Sequence, residues 1–384
     1  MSNSFPGEMA DSGRHKPALM LPGGGARGAY QVGVLRAVAE ILPDGQSRFP
    51  IIAGTSAGAI NAAVMASHAR DFGAGADRLA TFWCNFRCHH IYRTGWGHNL
   101  LTGLHWLASM TLGGLGVANP RSLLDNRPLG ELLERELRVD AIADAIDDGA
   151  LHALLITASG YSTARAVTFF QARREVAGWE AEKRIGRPAR IRPDHLLASA
   201  ALPLLFPARR IGHEFYGDGG MRQTAPLSGP IRMGADRILI IGTRDTQPDP
   251  EPAEDAEYPS LGEIGGYLLD VIFMDYLTND LARLRRINRT LEQVPAERRA
   301  KTGLRPIDTL LIQPSEDLRE IAERHRHRIP ASVRTLLKGV GAWGRGRLPS
   351  YLLFEAEFCR ELIELGYRDG MDRAGEIRAL MESG

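Results

Sequence analysis

Short, wholly apolar runs alternate along this chain with stretches whose apolar residues recur at helical spacing. "PALMLP" from residue 17 reads as a buried strand, and Ala29 to Ile41 carries Val32, Leu35, Val38 and Ala39 on one helical face. "FPIIAG" is a second buried strand, followed by "AGAINAAVMASHA", an alanine-rich helix of high intrinsic propensity. "ALLITAS", "AVTFF", "RILIIGT" and "DTLLIQP" read as later strands. Helices are expected at "SGPIRMGA", at "LREIAERH" and, closing the fold, at "SYLLFEAEFCRELIELGY". Buried strands alternating with helices predict an α/β chain: a three-layer α/β/α fold with a mostly parallel central sheet and right-handed crossovers. Neither an internal repeat nor a linker divides it. The expected organisation is a flexible tail over 1–16 and one domain over 17–384, with a lid-like apolar insertion around 94–120 and a C-terminal helical extension around 316–384.

Composition narrows the class. Of the 384 residues, 44% are hydrophobic and 24% charged, ordinary for a globular domain, and the net charge of +1 gives no global pull toward nucleic acid. Three cysteines cannot build a disulfide framework, which favours a reducing compartment. Cys84, Cys88, His89 and His90 lie close in sequence, but no second ligand cluster follows, so no metal site is expected. The N-terminus has no apolar core of a signal peptide. Leu100 to Val117 is apolar yet broken by Gly103, His105, Gly113, Gly114 and Gly116, unlike a membrane span. Charge is segregated late in the chain: residues 245–280 hold ten acids and no Lys or Arg, whereas 281–350 hold sixteen Lys or Arg against seven acids. The basic stretch is a solvated face, or one that meets anionic lipid.

Two glycine-rich turns carry the chemistry. The first, Gly23-Gly24-Gly25-Ala26-Arg27-Gly28, follows the first strand and opens a helix, and it fits G-x-G-x-x-G, the dinucleotide-binding fingerprint. That reading requires an acid at the end of strand two to hold a ribose. Strand two ends instead in Ala53-Gly54-Thr55-Ser56-Ala57-Gly58, a G-x-S-x-G between strand and helix: the setting of a nucleophile elbow. Gly54 and Gly58 relieve crowding on either side of Ser56, and the helix after it turns its positive end toward the serine oxygen. The first turn, Gly23 to Gly28, then reads as a source of main-chain N–H donors for an oxyanion. Arg27 adds a fixed charge near the loop or pins its conformation.

A serine hydroxyl needs a base. His213 reads as a turn residue between short strands, and His325 and His327 sit at a charged helix end. Asp218, in "YGDGG", stands on a tight turn where glycines let it approach another loop, although an ordinary Asx turn would satisfy the same residues. Shielded from water, a carboxylate gains basicity.

"GGGARG", "GTSAG" and "DGG", in this order and at these intervals, resemble the motifs of the patatin-like phospholipase family. The likeness extends through "HLLASAALPLLFPARRIGHEFYGDGG" to the terminal helix. It implies a patatin-like catalytic domain with Ser56 as nucleophile, Asp218 as its base, and Gly23, Gly24, Gly25, Arg27 and Gly28 as the oxyanion loop, with no cofactor. "RQTAPL" departs from the family after DGG, where many relatives place an Asn before Pro-Leu. The implied activity is hydrolysis of fatty-acyl esters of lipids at a membrane surface. With no export signal read at the N-terminus, the expected location is cytoplasmic, with reversible peripheral attachment to the inner face of the membrane. The sequence is silent on oligomeric state, and a homodimer is compatible with it. Two readings from other classes stay open: a catalytically idle lipid-binding or signalling protein of the same fold, and a nucleotide-binding oxidoreductase built on the glycine loop. Another serine acyl hydrolase, such as a thioesterase or a peptidase, stays open as well.

Overall fold

The computed structural model describes residues 16–42, 49–111, 121–245, 276–339 and 347–382, with a few isolated positions between them. All of the expected tail except Lys16 lies outside the described residues, as do residues 112–120 of the apolar insertion and most of the acidic run.

Ten strands form one sheet. They are β1 (Pro17–Leu21), β2 (Ile51–Thr55), β3 (Ala153–Gly160), β4 (Ala166–Ala172) and β5 (Trp179–Ala181), then β6 (Arg184–Pro188), β7 (Arg209–Ile211), β8 (Glu214–Asp218), β9 (Arg237–Ile241) and β10 (Asp308–Ile312). Their order is β10-β9-β1-β2-β3-β4-β6-β5, with β8 on β3 and β7 on β8. From β10 to β3 every neighbour is parallel, as the alternation of strands and helices predicts. β4 departs from that rule and runs antiparallel to β3. Residues 161–165 between them are too few for a crossover helix, so the chain turns straight back.

Alternation along the strands sorts the core into two layers. Leu19, Leu21, Ile52, Leu154, Ile156, Leu239 and Ile241 face one side of the sheet. Ala18, Met20, Ile51, Ala53, Leu155, Ile238 and Ile240 face the other. The first layer is covered by α1 (Gly28–Ile41), α2 (Ala57–Ser67), α3 (Phe72–Cys84) and the C-terminal helices. Leu277, Leu281 and Leu284 of the helix Tyr276–Glu292 cover the second. This is the expected three-layer α/β/α arrangement.

The predicted closing helix is broken. One helix ends at Leu352 and the next begins at Ala356, because the Glu355 carboxylate accepts from the Cys88 main-chain N–H at 3.0 Å and the Leu352 carbonyl from the Tyr92 hydroxyl at 2.9 Å. The helix Ala356–Asp372 then packs closely on α1. A Cβ on Gly33 would lie 2.0 Å from the Ile363 carbonyl oxygen, and one on Gly366 would lie 2.1 Å from that of Tyr30. Part of the basic stretch is paired with acids: Arg324 with Glu361, Arg326 with Glu323 and Arg328 with Glu357. Among the described residues no helix is long and apolar enough to cross a membrane.

Crowded and open surroundings make opposite forecasts for two glycines. Gly366→Val should cost about 3 kcal/mol, since the backbone of α1 faces the new side chain. Gly375→Ala, in the first turn of the helix Ala374–Glu382 with nothing within 4 Å, should gain roughly 0.5 kcal/mol from helix propensity. Urea unfolding of both variants measures the contrast.

Candidate active site

β2 and β8 run toward each other along the same edge of β3. Thr55, the last residue of β2, pairs with Thr157, and Asp218, the last of β8, pairs with the next residue, Ala158. Two strand tips distant in sequence therefore meet head to head, bringing Ser56 and Asp218 together. Gly219 lets them close: a Cβ there would lie 2.1 Å from the Thr157 carbonyl oxygen and 2.8 Å from Thr55 Cγ2.

Ser56 has φ 56° and ψ −127°, a backbone conformation that costs a non-glycine residue about 1–3 kcal/mol. The surroundings enforce it. A Cβ on Gly54 would lie 2.3 Å from the Gly58 carbonyl oxygen, and one on Gly58 would lie 2.1 Å from that of Leu21. The Ser56 main-chain N–H donates to Ser199 Oγ at 2.9 Å, and that hydroxyl donates to the Thr157 carbonyl at 2.6 Å. The elbow is thus fastened to β3, the strand that also holds Asp218.

Asp218 is fully buried. Its Oδ1 accepts the Gly220 N–H at 2.9 Å, and its own N–H donates to the Ala201 carbonyl at 2.8 Å. Burial pushes its carboxyl up to about 7, against the opposing pull of hydrogen bonding from the Ser56 hydroxyl and then the Gly220 amide. The contact with Ser56 is close but loose, for Oδ2 has no well-formed partner among the described residues. A buried acceptor left in that state is costly, and it favours the protonated form.

The glycine turn abuts the elbow. A Cβ on Gly28 would lie 3.0 Å from Ala57 Cβ. Gly25 (φ 55°) and Ser56 line the same cleft, whose other walls are side chains such as Ile60, Trp83, Phe206, Tyr351 and Phe354. Its free room is about 30 Å³, enough for about two waters. Arg27 is buried, and it donates to Ser350 Oγ from Nε at 2.9 Å and from Nη2 at 2.7 Å. Its guanidinium lies 4.1 Å from the centre of the Tyr351 ring. Of the two roles open to Arg27, these contacts are those of a pin between the loop and the C-terminal segment.

The histidines stand elsewhere. His213 is exposed in the β7–β8 turn, at the far end of β8 from Asp218, about 16 Å along the strand. His325 Nε2 lies 2.6 Å from Glu361 Oε2, and His327 is exposed. Among the described residues no His, Cys, Asp and Glu cluster could hold a metal. Cys88 and Cys359 are buried structural residues. Strand two ends with no acid where a ribose clamp would stand.

Sequence reasoning passed over Ser199, Gln31, Asn61, Thr243 and Tyr351, all of which fasten this site. Asn61, a lone amide in an otherwise apolar helix, was the one visible signal among them.

The sequence model of the patatin-like phospholipase family matches residues 19–231. Solved structures with a related fold include VipD from Legionella pneumophila, at 12% identity and a TM-score of 0.38, covering 94% of this chain and 67% of that one. Another is the type III effector protein ExoU, at 16% identity and a TM-score of 0.33, covering 95% of this chain and 53% of that one. Likenesses this loose carry no argument about activity. No curated protein matches the chain.

The raised carboxyl makes a stability forecast with a definite sign. Between the unfolded value of 3.8 and about 7, folded Asp218 holds a proton that the unfolded chain has released, so its contribution falls as pH rises through that window. Asp218→Asn should abolish this dependence and unfold at higher urea than wild type at pH 8, by up to about 4 kcal/mol. At pH 4 the two proteins should differ little.

Proposed function

This chain belongs to the patatin-like phospholipase family, and we propose that it is a serine acyl hydrolase in which Ser56 and Asp218 form a catalytic dyad. The observation that supports this most is a strained serine at a strand-to-helix turn, set against a fully buried carboxyl whose affinity for a proton is centred near neutrality. A general base works best when its pKa lies near the working pH.

In the proposed reaction Asp218 takes the proton of Ser56 as Oγ attacks the ester carbonyl. The main-chain amides of the Gly23–Gly25 turn and the positive end of α2 hold the oxyanion, which is the largest single gain in such chemistry. Asp218 returns the proton to the departing alcohol. It then takes one from a water that attacks the acyl-serine and passes it to Ser56 Oγ as the acyl bond breaks, releasing the fatty acid and restoring both residues. Arg27 supports the loop from behind through Ser350 and Tyr351. The apolar walls of the cleft suit a fatty-acyl chain, each buried methylene contributing about 0.8 kcal/mol.

The same reading includes a lipid surface as the place of work. The helix Trp96–Thr111 carries no charged residue and leaves Trp96, Leu100, Leu101 and Leu104 between 54% and 69% exposed. Its Gly103 rests on Leu336, and Ser332 Oγ donates to the Thr94 carbonyl just before it. Arg334 and Lys338 lie on that supporting helix. An uncharged apolar face beside cations suits an anionic bilayer. The helix follows Ile91, a lining residue of the cleft, by a few residues.

Two measurements test these statements. Ser56→Ala and Asp218→Asn should each lose ester hydrolysis by at least about a thousandfold while staying folded, and wild-type kcat should rise with pH through about 7 as Asp218 gives up its proton. Full activity in Asp218→Asn would reject the dyad. Replacing Leu100, Leu101 and Leu104 together with Ser should lower binding to anionic liposomes by roughly tenfold or more. It should spare hydrolysis of a short water-soluble ester.

A further inference from the structure

A peptide group is planar and trans, so a carbonyl held in one direction turns the N–H of the next residue in the opposite direction. The carbonyls at the entrance of the glycine turn are held in this way. Gln31 Nε2, fully buried on α1, donates to the Pro22 carbonyl at 2.9 Å and also to the Ile241 carbonyl at 3.1 Å. Thr243 Oγ1, just past the end of β9, donates to the Gly23 carbonyl at 2.7 Å. The first bond fixes the peptide plane that contains the Gly23 N–H, and the second fixes the plane that contains the Gly24 N–H.

We infer that Gln31 and Thr243 are positioning residues for the acyl-transfer reaction, aiming the Gly23 and Gly24 amides by gripping the carbonyl ends of the same two peptide groups. The inference rests on the proposed role of this turn as the oxyanion site.

Both grips are braced. Gln31 spends its two amide hydrogens on the two carbonyls, while its Oε1 accepts from Asn61 Nδ2 at 3.0 Å. Asn61 also donates to the Gly28 carbonyl at 3.0 Å, at the exit of the turn, and accepts from Trp83 Nε1 at 2.9 Å. Asn61 belongs to α2, the helix that Ser56 begins. The turn's entrance and exit are therefore tied to the nucleophile's own helix through buried, mutually satisfied amides, an arrangement that fixes geometry rather than adding charge. Thr243 is confined as well: a Cβ on Gly24 would lie 2.6 Å from its Oγ1 and 2.8 Å from its Cβ. The hydroxyl thus has little room to swing away from Gly23.

The test uses the full chain, a water-soluble acyl ester, a trifluoromethyl ketone that forms a serine hemiketal, and dodecane as a neutral ligand that fills the apolar cleft without an oxygen. Thr243→Val keeps the shape and loses only the hydroxyl. It should lower kcat at least about tenfold and weaken the ketone by the same factor, with KM and dodecane affinity within about twofold of wild type. Thr243→Ser should restore both. Gln31→Met should behave as Thr243→Val does wherever it folds, and Thr243→Val alone decides where it does not. Wild-type kcat in Thr243→Val overturns the inference, and so does a loss of dodecane affinity in parallel with the ketone, which would mark general loosening of the cleft. A wild type that neither hydrolyses the ester nor binds the ketone overturns the reading of the site itself, and this inference with it.

Discussion

Everything in this fold that bears on chemistry depends on a shared strand edge. β3 presents successive residues, Thr157 and Ala158, to the ends of two strands that arrive from opposite directions. Had β8 joined elsewhere, Asp218 would be an exposed turn residue and Ser56 a strained serine with no partner. Because they meet on one edge, the alcohol and the carboxyl are registered by main-chain hydrogen bonds rather than by long side chains. That registration carries little conformational freedom to lose.

The arrangement is locally unfavourable, and the rest of the structure offsets it. A non-glycine residue at positive φ, a buried carboxyl whose Oδ2 has no well-formed partner among the described residues and a backbone crowded by carbonyls all raise the energy of the folded state. The compensation comes from a sheet covered on both faces and from the close contact of α1 with the helix Ala356–Asp372. The glycines divide between these tasks. Gly54, Gly58 and Gly219 let Ser56 and Asp218 approach, whereas Gly33 and Gly366 bring the supporting helices near enough to hold the platform still.

How much of this was legible in the sequence depended on how local the signal was. The apolar runs gave the strands, and the spacing around Ser56 gave the elbow, because both are short-range patterns with a steric cause. Asp218 was legible only in part, since "DGG" satisfies an ordinary turn as well, and a strand register decides between the two. Gln31 and Thr243 were invisible: one looks like a helix-face residue and the other like a strand end, and the long-range contacts to Ile241 and Gly23 leave no local pattern. The direction of β4 rests on the five residues 161–165, too short a connection for a crossover helix, within a sheet that is mostly parallel as expected. The break before Ala356 was missed because "SYLLFEAEF" has continuous helical periodicity. The hydrogen bonds from Tyr92 and Cys88 that interrupt it come from far away.

That break gives the molecule a division of labour. Residues 19–231, matched by the family, contain Ser56, Asp218 and the glycine turn, whereas Tyr351 and Phe354, which wall the cleft beside them, come from the far end of the chain. Substitution at Tyr351 or Phe354 can therefore reshape the cleft while Ser56 and Asp218 keep their places.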